Sequence, residues 1–263
     1  MDLGLKGKRA LILASAGGLG GGVAETLAAE GARVALFDFD RDKLAAHAAH
    51  LATTYGGDVE FFVGDIGDLD RLEEVRAETQ SRFGGIDILV NNTPGPRPGP
   101  LQGVTDPDVW RKQFEVMVLS IIELSRRVLP GMKERHWGRI LTLASSSVIQ
   151  PIPHLTISNV LRSALVGWSK TLAGELAADG ITVNMVVPGR IHTDRVDQID
   201  AGIAAKAGKT VDEIRVESLK LLPMGRFGTV DEFASVVAFL AGERASYVSG
   251  SMVRVDGAMI RSV

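Results

Sequence analysis

Short apolar runs alternate along the chain with longer stretches in which apolar residues return every three or four positions. The runs lie at Arg9–Ala14, Val34–Phe37, Val59–Val63, Ile86–Val90, Gly138–Ala144, Ile181–Val187 and Met252–Val255. Each reads as a strand, and the continuous apolar character points to burial on both faces. Helical periodicity fills the gaps. It predicts helices over Leu19–Glu30, Arg41–Leu51, Leu69–Phe83, Thr156–Ala178 and Thr229–Ala241. Asp106–Arg135 reads as one or two helices broken near Pro130 and Gly131. In the first helix Leu19, Val23 and Leu27 recur every four residues, and Gly31 ends it. In Thr156–Ala178 the set Ile157, Val160, Leu161, Ala164, Leu165, Trp168, Leu172 and Leu176 predicts one broad buried face. Strands alternating with helices imply an α/β domain, a parallel sheet with helices on both faces. Residues 190–225 are mixed in character, with helical pieces near 194–206 and 211–221, and read as a lid-like excursion from one domain spanning 1–263.

In open α/β sheets ligands sit at the carboxyl ends of the strands. Those ends carry Ala14–Gly18, Asp38, Asp65, Asn91 with Asn92, Ser145, and Pro188 with Gly189. Every one of these residue types also favours turns. Their recurrence at six strand ends of the same sense points to a shared site. The first end carries Gly17, Gly18, Gly20, Gly21 and Gly22. A glycine-rich turn lets a ligand approach the backbone closely, and the helix that follows offers free N–H groups to a phosphate.

Composition narrows the field. The chain is 45% hydrophobic and 23% charged, as in ordinary globular proteins, with a formal net charge of −3 and no basic block. Nucleic acid is a disfavoured partner. The absence of cysteine excludes disulfides, thiolate metal sites and a cysteine nucleophile, and fits a reducing cytoplasm. The first residues lack the apolar core of a signal peptide, and no apolar run approaches the roughly 20 residues of a membrane helix. His47 and His50 share helical spacing but have no carboxylate or third-ligand pattern around them. They read as solvent-facing, and no metal site is predicted.

The chain resembles short-chain dehydrogenase/reductases, in particular 3-oxoacyl-(acyl carrier protein) reductases. The resemblance rests on Ala14–Gly20, Asp65 and Ile66, Asn91 and Asn92, Ser145, Ile181–Asn184 with Pro188 and Gly189, Met224–Gly228, Ala245–Gly250 and Val255–Gly257. It implies a Rossmann-type doubly wound parallel sheet and an NAD(P) cofactor. The sequence departs from the family pattern in four places. Leu13 and Ala14 stand for the usual Thr-Gly, Thr93 and Pro94 for Ala-Gly, and Met117 for a helix asparagine. Ser158 and Arg162 stand where the catalytic tyrosine and lysine belong, and the run Gly167–Glu175 fixes that register.

The resemblance assigns the dinucleotide to Ala14, Ser15, Gly18, Leu19, Gly20, Asp38, Asp65, Ile66, Asn91, Arg162, Pro188, Gly189, Ile191 and Thr193. Asp38 would accept from the adenosine ribose hydroxyls and repel a 2′-phosphate, and Gly17 carries no charge. NAD is expected over NADP, with Arg41 as the nearby cation able to meet a phosphate. The expected reaction is hydride transfer between nicotinamide and a small alcohol or ketone, a 3-oxoacyl compound among the candidates. Ser145, Ser158 and Arg162 would line the reacting centre. Serine is a poor proton donor and arginine cannot cycle a proton, so water or His154 would supply one, with His192 a weaker candidate. The alternative is a dinucleotide-binding pseudoenzyme acting as sensor or assembly subunit. Ile191, Ile199, Ile203, Ile214, Leu219 and Leu221 either pack the lid helices or line a substrate channel. A homo-oligomer, tetramer or dimer, is implied by the family.

Overall fold

In a computed structural model, which describes residues 1–262, seven strands form one sheet. They are β1 (Arg9–Leu13), β2 (Arg33–Asp38), β3 (Val59–Val63), β4 (Ile88–Asn91), β5 (Gly138–Leu143), β6 (Ile181–Pro188) and β7 (Met252–Val255). Their order is β3-β2-β1-β4-β5-β6-β7, and every pairing is parallel. The order reverses between β1 and β4, which opens a crevice at the carboxyl edge there.

The helices are α1 (Gly18–Ala29), α2 (Arg41–Tyr55), α3 (Leu69–Phe83), α4 (Pro107–Phe114), α5 (Ser120–Glu134), α6 (Thr156–Leu176), α7 (Asp194–Ala207), α8 (Val211–Leu219) and α9 (Val230–Ala241). Their ends follow local chemistry. Asp40 and Asp68 cap α2 and α3 at the N-terminus, and Gly56 and Gly84 close them in the left-handed conformation. Thr229 and Glu232 make a reciprocal capping box on α9. One apolar layer packs α1, α2 and α9 on one face of the sheet, through Val23, Leu27, Leu44, Phe233 and Val237. A second packs α3, α5 and α6 on the other, through Leu72, Val75, Leu124, Val128 and Leu176. The α1–α9 approach depends on Gly22, where a Cβ would fall 2.0 Å from Val230 Cγ1.

Two expectations are corrected. The helix over Asp106–Arg135 continues through Pro130, and its irregularity is a π-helical turn at Glu115–Leu119 that holds Met117 fully buried. Proline lacks an N–H but its neighbours sustain the turn around it, whereas a π-turn has no compositional signal. On α6, Val160 and Ala164 face outward, with Val160 half exposed. The predicted Ile157, Leu161, Leu165 and Leu176 are buried, and the stripe also takes in Ala173, Ser158 and Arg162.

The amino edge of the sheet is tied by charge. The Asp87 carboxylate accepts from Arg9 Nε at 2.6 Å and from Arg135 Nε at 3.1 Å. Arg9 and Arg135 also donate to the carbonyls of Gly84 and Ile86. Burial alone would raise the Asp87 carboxyl, but the Arg9 bonds and the charges of Arg9 and Arg135 hold it below the usual carboxylate range.

Candidate functional site

The turn after β1 is clamped from three sides. Ala14 sits in the left-handed region at φ 48°, and its carbonyl accepts from Asn92 Nδ2 at 3.1 Å. The Ser15 carbonyl is bonded to His47 Nδ1 at 2.9 Å. The Ala16 N–H donates to Asp38 Oδ2 at 3.1 Å. The Ser15 hydroxyl is turned inward, donating to the Ile12 carbonyl at 3.0 Å and accepting from Phe37 N–H at 3.0 Å. Gly17 and Gly18 then face open space, since a Cβ on either would meet nothing within 4 Å. A Cβ on Gly20 would lie 2.3 Å from the Ala14 carbonyl oxygen and 2.7 Å from Asn92 Nδ2. The turn is therefore rigid on its inner side and free on its outer side, where α1 presents its N-terminal N–H groups.

Asp38 closes β2 beside this turn. Its other oxygen accepts from Phe39 N–H at 2.8 Å and Asp40 N–H at 3.3 Å, so the carboxylate is fixed while remaining partly exposed. Asp65 is exposed and accepts from Gly67 N–H at 2.8 Å, and Ile66 is buried under it in the core. Asn91 is fully buried, donating to Ser125 Oγ at 3.2 Å. Its Oδ1 has no partner among the described residues.

At the ends of β4 and β5, α6 delivers Ser158 and Arg162 one turn apart, both more than nine-tenths buried. Arg162 Nη2 donates to the Thr93 carbonyl at 3.1 Å and Nη1 to the Leu143 carbonyl at 3.3 Å. Thr93 follows β4 and Leu143 ends β5, so the guanidinium sits between the carboxyl ends of both strands. No carboxylate pairs with it among the described residues, and burial pushes it down to about 10. It stays charged at neutral pH. Ser145 caps the short turn Ser146–Val148, where its Oγ accepts from Ser147 N–H at 3.2 Å. The sheet end thus brings Ser145, Ser158 and Arg162 to one region, packed through Ala144, Ile157 and Leu161.

His154 lies in the loop between β5 and α6. It is exposed, at φ 62°, and its carbonyl accepts from Gly99 N–H at 2.7 Å. Pro188 ends β6, and Gly189 lies so close to β7's exit that a Cβ would fall 2.5 Å from Asp256 Cα. Ile191 is buried and bridges Gly228, and Thr193 caps α7 by accepting from Val196 N–H. Arg190 forms an ion pair with the fully buried Asp200 of α7. His192 lies 3.3 Å from Asp197, which Arg215 of α8 also engages at 2.7 Å. Of the apolar positions in 190–225, Ile191 and Ile214 are buried, whereas Ile203 and Leu221 are exposed.

The site also uses residues outside the predicted site set. Asn92 and His47 clamp the glycine turn, and the Thr93 carbonyl receives Arg162. His47 corrects the expectation that it faces solvent: it is half buried. The signal was present, since His47 stands three residues after Leu44 and four before Leu51, both fully buried. His50 is exposed as expected and contacts Glu25 at 3.3 Å.

A seven-stranded parallel sheet whose strand order reverses beside a glycine-rich turn, with helices on both faces, defines a doubly wound α/β protein of the Rossmann type. The chain belongs to the short-chain dehydrogenase/reductase family: the family model described as enoyl-(acyl carrier protein) reductase matches residues 13–259. It is 33% identical to the 3-oxoacyl-[acyl-carrier-protein] reductase of Salmonella typhimurium over 259 residues, which cover 98% of this chain and 99% of that one. It is 32% identical to D-beta-hydroxybutyrate dehydrogenase of Cupriavidus necator over 257 residues, 97% of this chain and 99% of that one. The crystal structure of L-sorbose reductase from Gluconobacter frateurii, complexed with NADPH and L-sorbose, superposes with a TM-score of 0.95 at 33% identity, with both chains covered completely.

Proposed function

We propose that the protein is a nicotinamide-dependent oxidoreductase that interconverts a small alcohol and ketone, with Ser145, Ser158 and Arg162 lining the reacting centre. The observation that carries this reading is Arg162, a buried cation without a carboxylate partner, held at the carboxyl ends of β4 and β5. A 3-oxoacyl group is the substrate class that the reductase relatives favour. The turn from Ala14 to Gly20 fits a dinucleotide, because Gly17 and Gly18 leave the space that its pyrophosphate needs. Asp65, Ile66 and Asn91 would flank its adenosine half. Pro188, Gly189, Ile191 and Thr193 would flank the nicotinamide. When bound, the cofactor supplies or accepts the hydride.

Arg162 would clasp ribose hydroxyls and stabilise negative charge on the carbonyl oxygen. Its guanidinium keeps its proton, so it cannot act as the acid. Ser158 and Ser145 would hydrogen-bond that oxygen, and the proton would come from water or His154. Ser158 and Arg162 would thus replace the family's tyrosine and lysine, an arrangement that orients and stabilises more than it protonates. Asp38 supports NAD over NADP: its fixed carboxylate would accept from ribose hydroxyls and repel a 2′-phosphate. The NADPH in the L-sorbose reductase complex belongs to that protein. The exposed Val160, Ala164 and Gly167 of α6 would face the partner in a homo-oligomer, dimer or tetramer.

The test is absorbance at the reduced-nicotinamide band over a panel of ketones and alcohols. Turnover with NADH, lost in Ser145→Ala, is the expected result. Tight NADH binding with no turnover on any substrate, and no change in Ser145→Ala, would replace this reading with that of a dinucleotide-binding protein without chemistry.

A further inference from the structure

The glycine turn has one clamp from outside the strand ends. His47, on the buried side of α2, reaches the Ser15 carbonyl through Nδ1 at 2.9 Å. A carbonyl only accepts, so Nδ1 carries the proton and Nε2 is the free ring nitrogen when the imidazole is neutral. The ring also lies under the first turn of α1, its Cε1 3.4 Å from where a Cβ on Gly21 would stand. Three consecutive residues are therefore held by three different elements. Asn92 at the end of β4 takes the Ala14 carbonyl, His47 on α2 takes the Ser15 carbonyl, and Asp38 at the end of β2 takes the Ala16 N–H. The residues that follow, Gly17 and Gly18, are the unobstructed ones.

From this we infer that His47 is a positioning residue for the dinucleotide, fixing the peptide plane that aims the turn and the α1 N-terminus at the pyrophosphate. It touches no ligand itself. The inference rests on the reading of the turn as a dinucleotide site. Without the His47 bond the Ser15–Ala16 peptide is held at its N–H alone, by Asp38, so its carbonyl side can tilt and the outer N–H groups lose their common direction. The effect belongs to the donor at Nδ1, and an asparagine on the same helix position carries an N–H at the matching distance from the backbone. Glutamine carries it one bond further out.

The experiment measures NADH and NADPH binding by nucleotide fluorescence, alongside thermal melting, for the full chain and His47→Ala, His47→Asn and His47→Gln. The expected result is a dissociation constant for the preferred nucleotide raised about fivefold in His47→Ala, the weight of one hydrogen bond. His47→Asn restores it to within about twofold, and His47→Gln does not. Unchanged affinity in His47→Ala overturns the inference. So does weakened binding that tracks a fall in melting temperature equally in all three variants, which is the mark of a merely structural residue. Wild-type protein that binds neither nucleotide would overturn the dinucleotide reading and this inference with it, and is distinguished by failing before any substitution is made.

Discussion

Ala14 and Arg162 are two residues whose positions work against the stability of the free chain. Ala14 adopts φ 48°, a left-handed conformation that disfavours a Cβ by roughly 1–2 kcal/mol. Ala14→Gly relieves this and should stabilise the protein by about 1 kcal/mol, read as a rise of roughly 2–4 °C in melting temperature. Arg162 is buried with only carbonyl partners. Arg162→Met, similar in length and apolar, should melt at or above the wild-type temperature in the absence of nucleotide, while turnover falls by about a hundredfold or more. The sign of its pH dependence is fixed. With the folded value near 10 and the free side chain higher, both states are almost wholly protonated up to about pH 9, and the burial penalty is nearly constant there. The stability difference between Arg162→Met and wild type should therefore be equal at pH 6 and pH 9. A difference that grows across that range would assign the effect to another group.

At the level of elements, the α1–α9 contact is set by one missing side chain. A Cβ on Gly22 would overlap Val230 Cγ1, so Gly22→Ala should destabilise by about 2 kcal/mol or more, and Val230→Ala should restore most of the loss in the double variant. Chemical denaturation of the four proteins gives the coupling directly. Asp87 ties β1, β4 and the end of α5 together. Its carboxyl is depressed, so its contribution is complete above the unfolded value near 4 and is lost as pH falls below it. Asp87→Asn should lower stability at pH 7 and flatten its decline below about pH 4, seen by melting across pH. These elements show what sequence conveys. The strands and most helix limits were legible because apolar runs and helical spacing are local properties: β3, α3 and β7 lie at the predicted residues. The π-turn at Glu115–Leu119 and the outward turn of Val160 were not, because both depend on what packs against the helix. In the site, Asp38 and the glycine turn were legible as types at a strand end. The His47 clamp was hidden by the more visible pairing of His47 with His50.

Over the whole molecule, a ligand that binds only the native state stabilises by mass action, about 2.7 kcal/mol at a hundredfold excess over its dissociation constant. On the proposed role of Asp38, NADH should raise the melting temperature more than NADPH at equal concentration. A larger shift with NADPH would show that Arg41 rather than Asp38 governs the ribose. No helix among the described residues is long and apolar enough to cross a membrane. All seven strands run the same way, so the chain is polar in a sense beyond charge. Its carboxyl rim holds every candidate for binding and chemistry, and its amino rim holds the Arg9–Asp87–Arg135 cluster. Selection for a new substrate and selection for heat resistance would then act on opposite edges of one sheet. In a saturation mutagenesis screen, variants that gain activity on new ketones should gather at one rim and variants that survive heating at the other, and the two sets should combine freely.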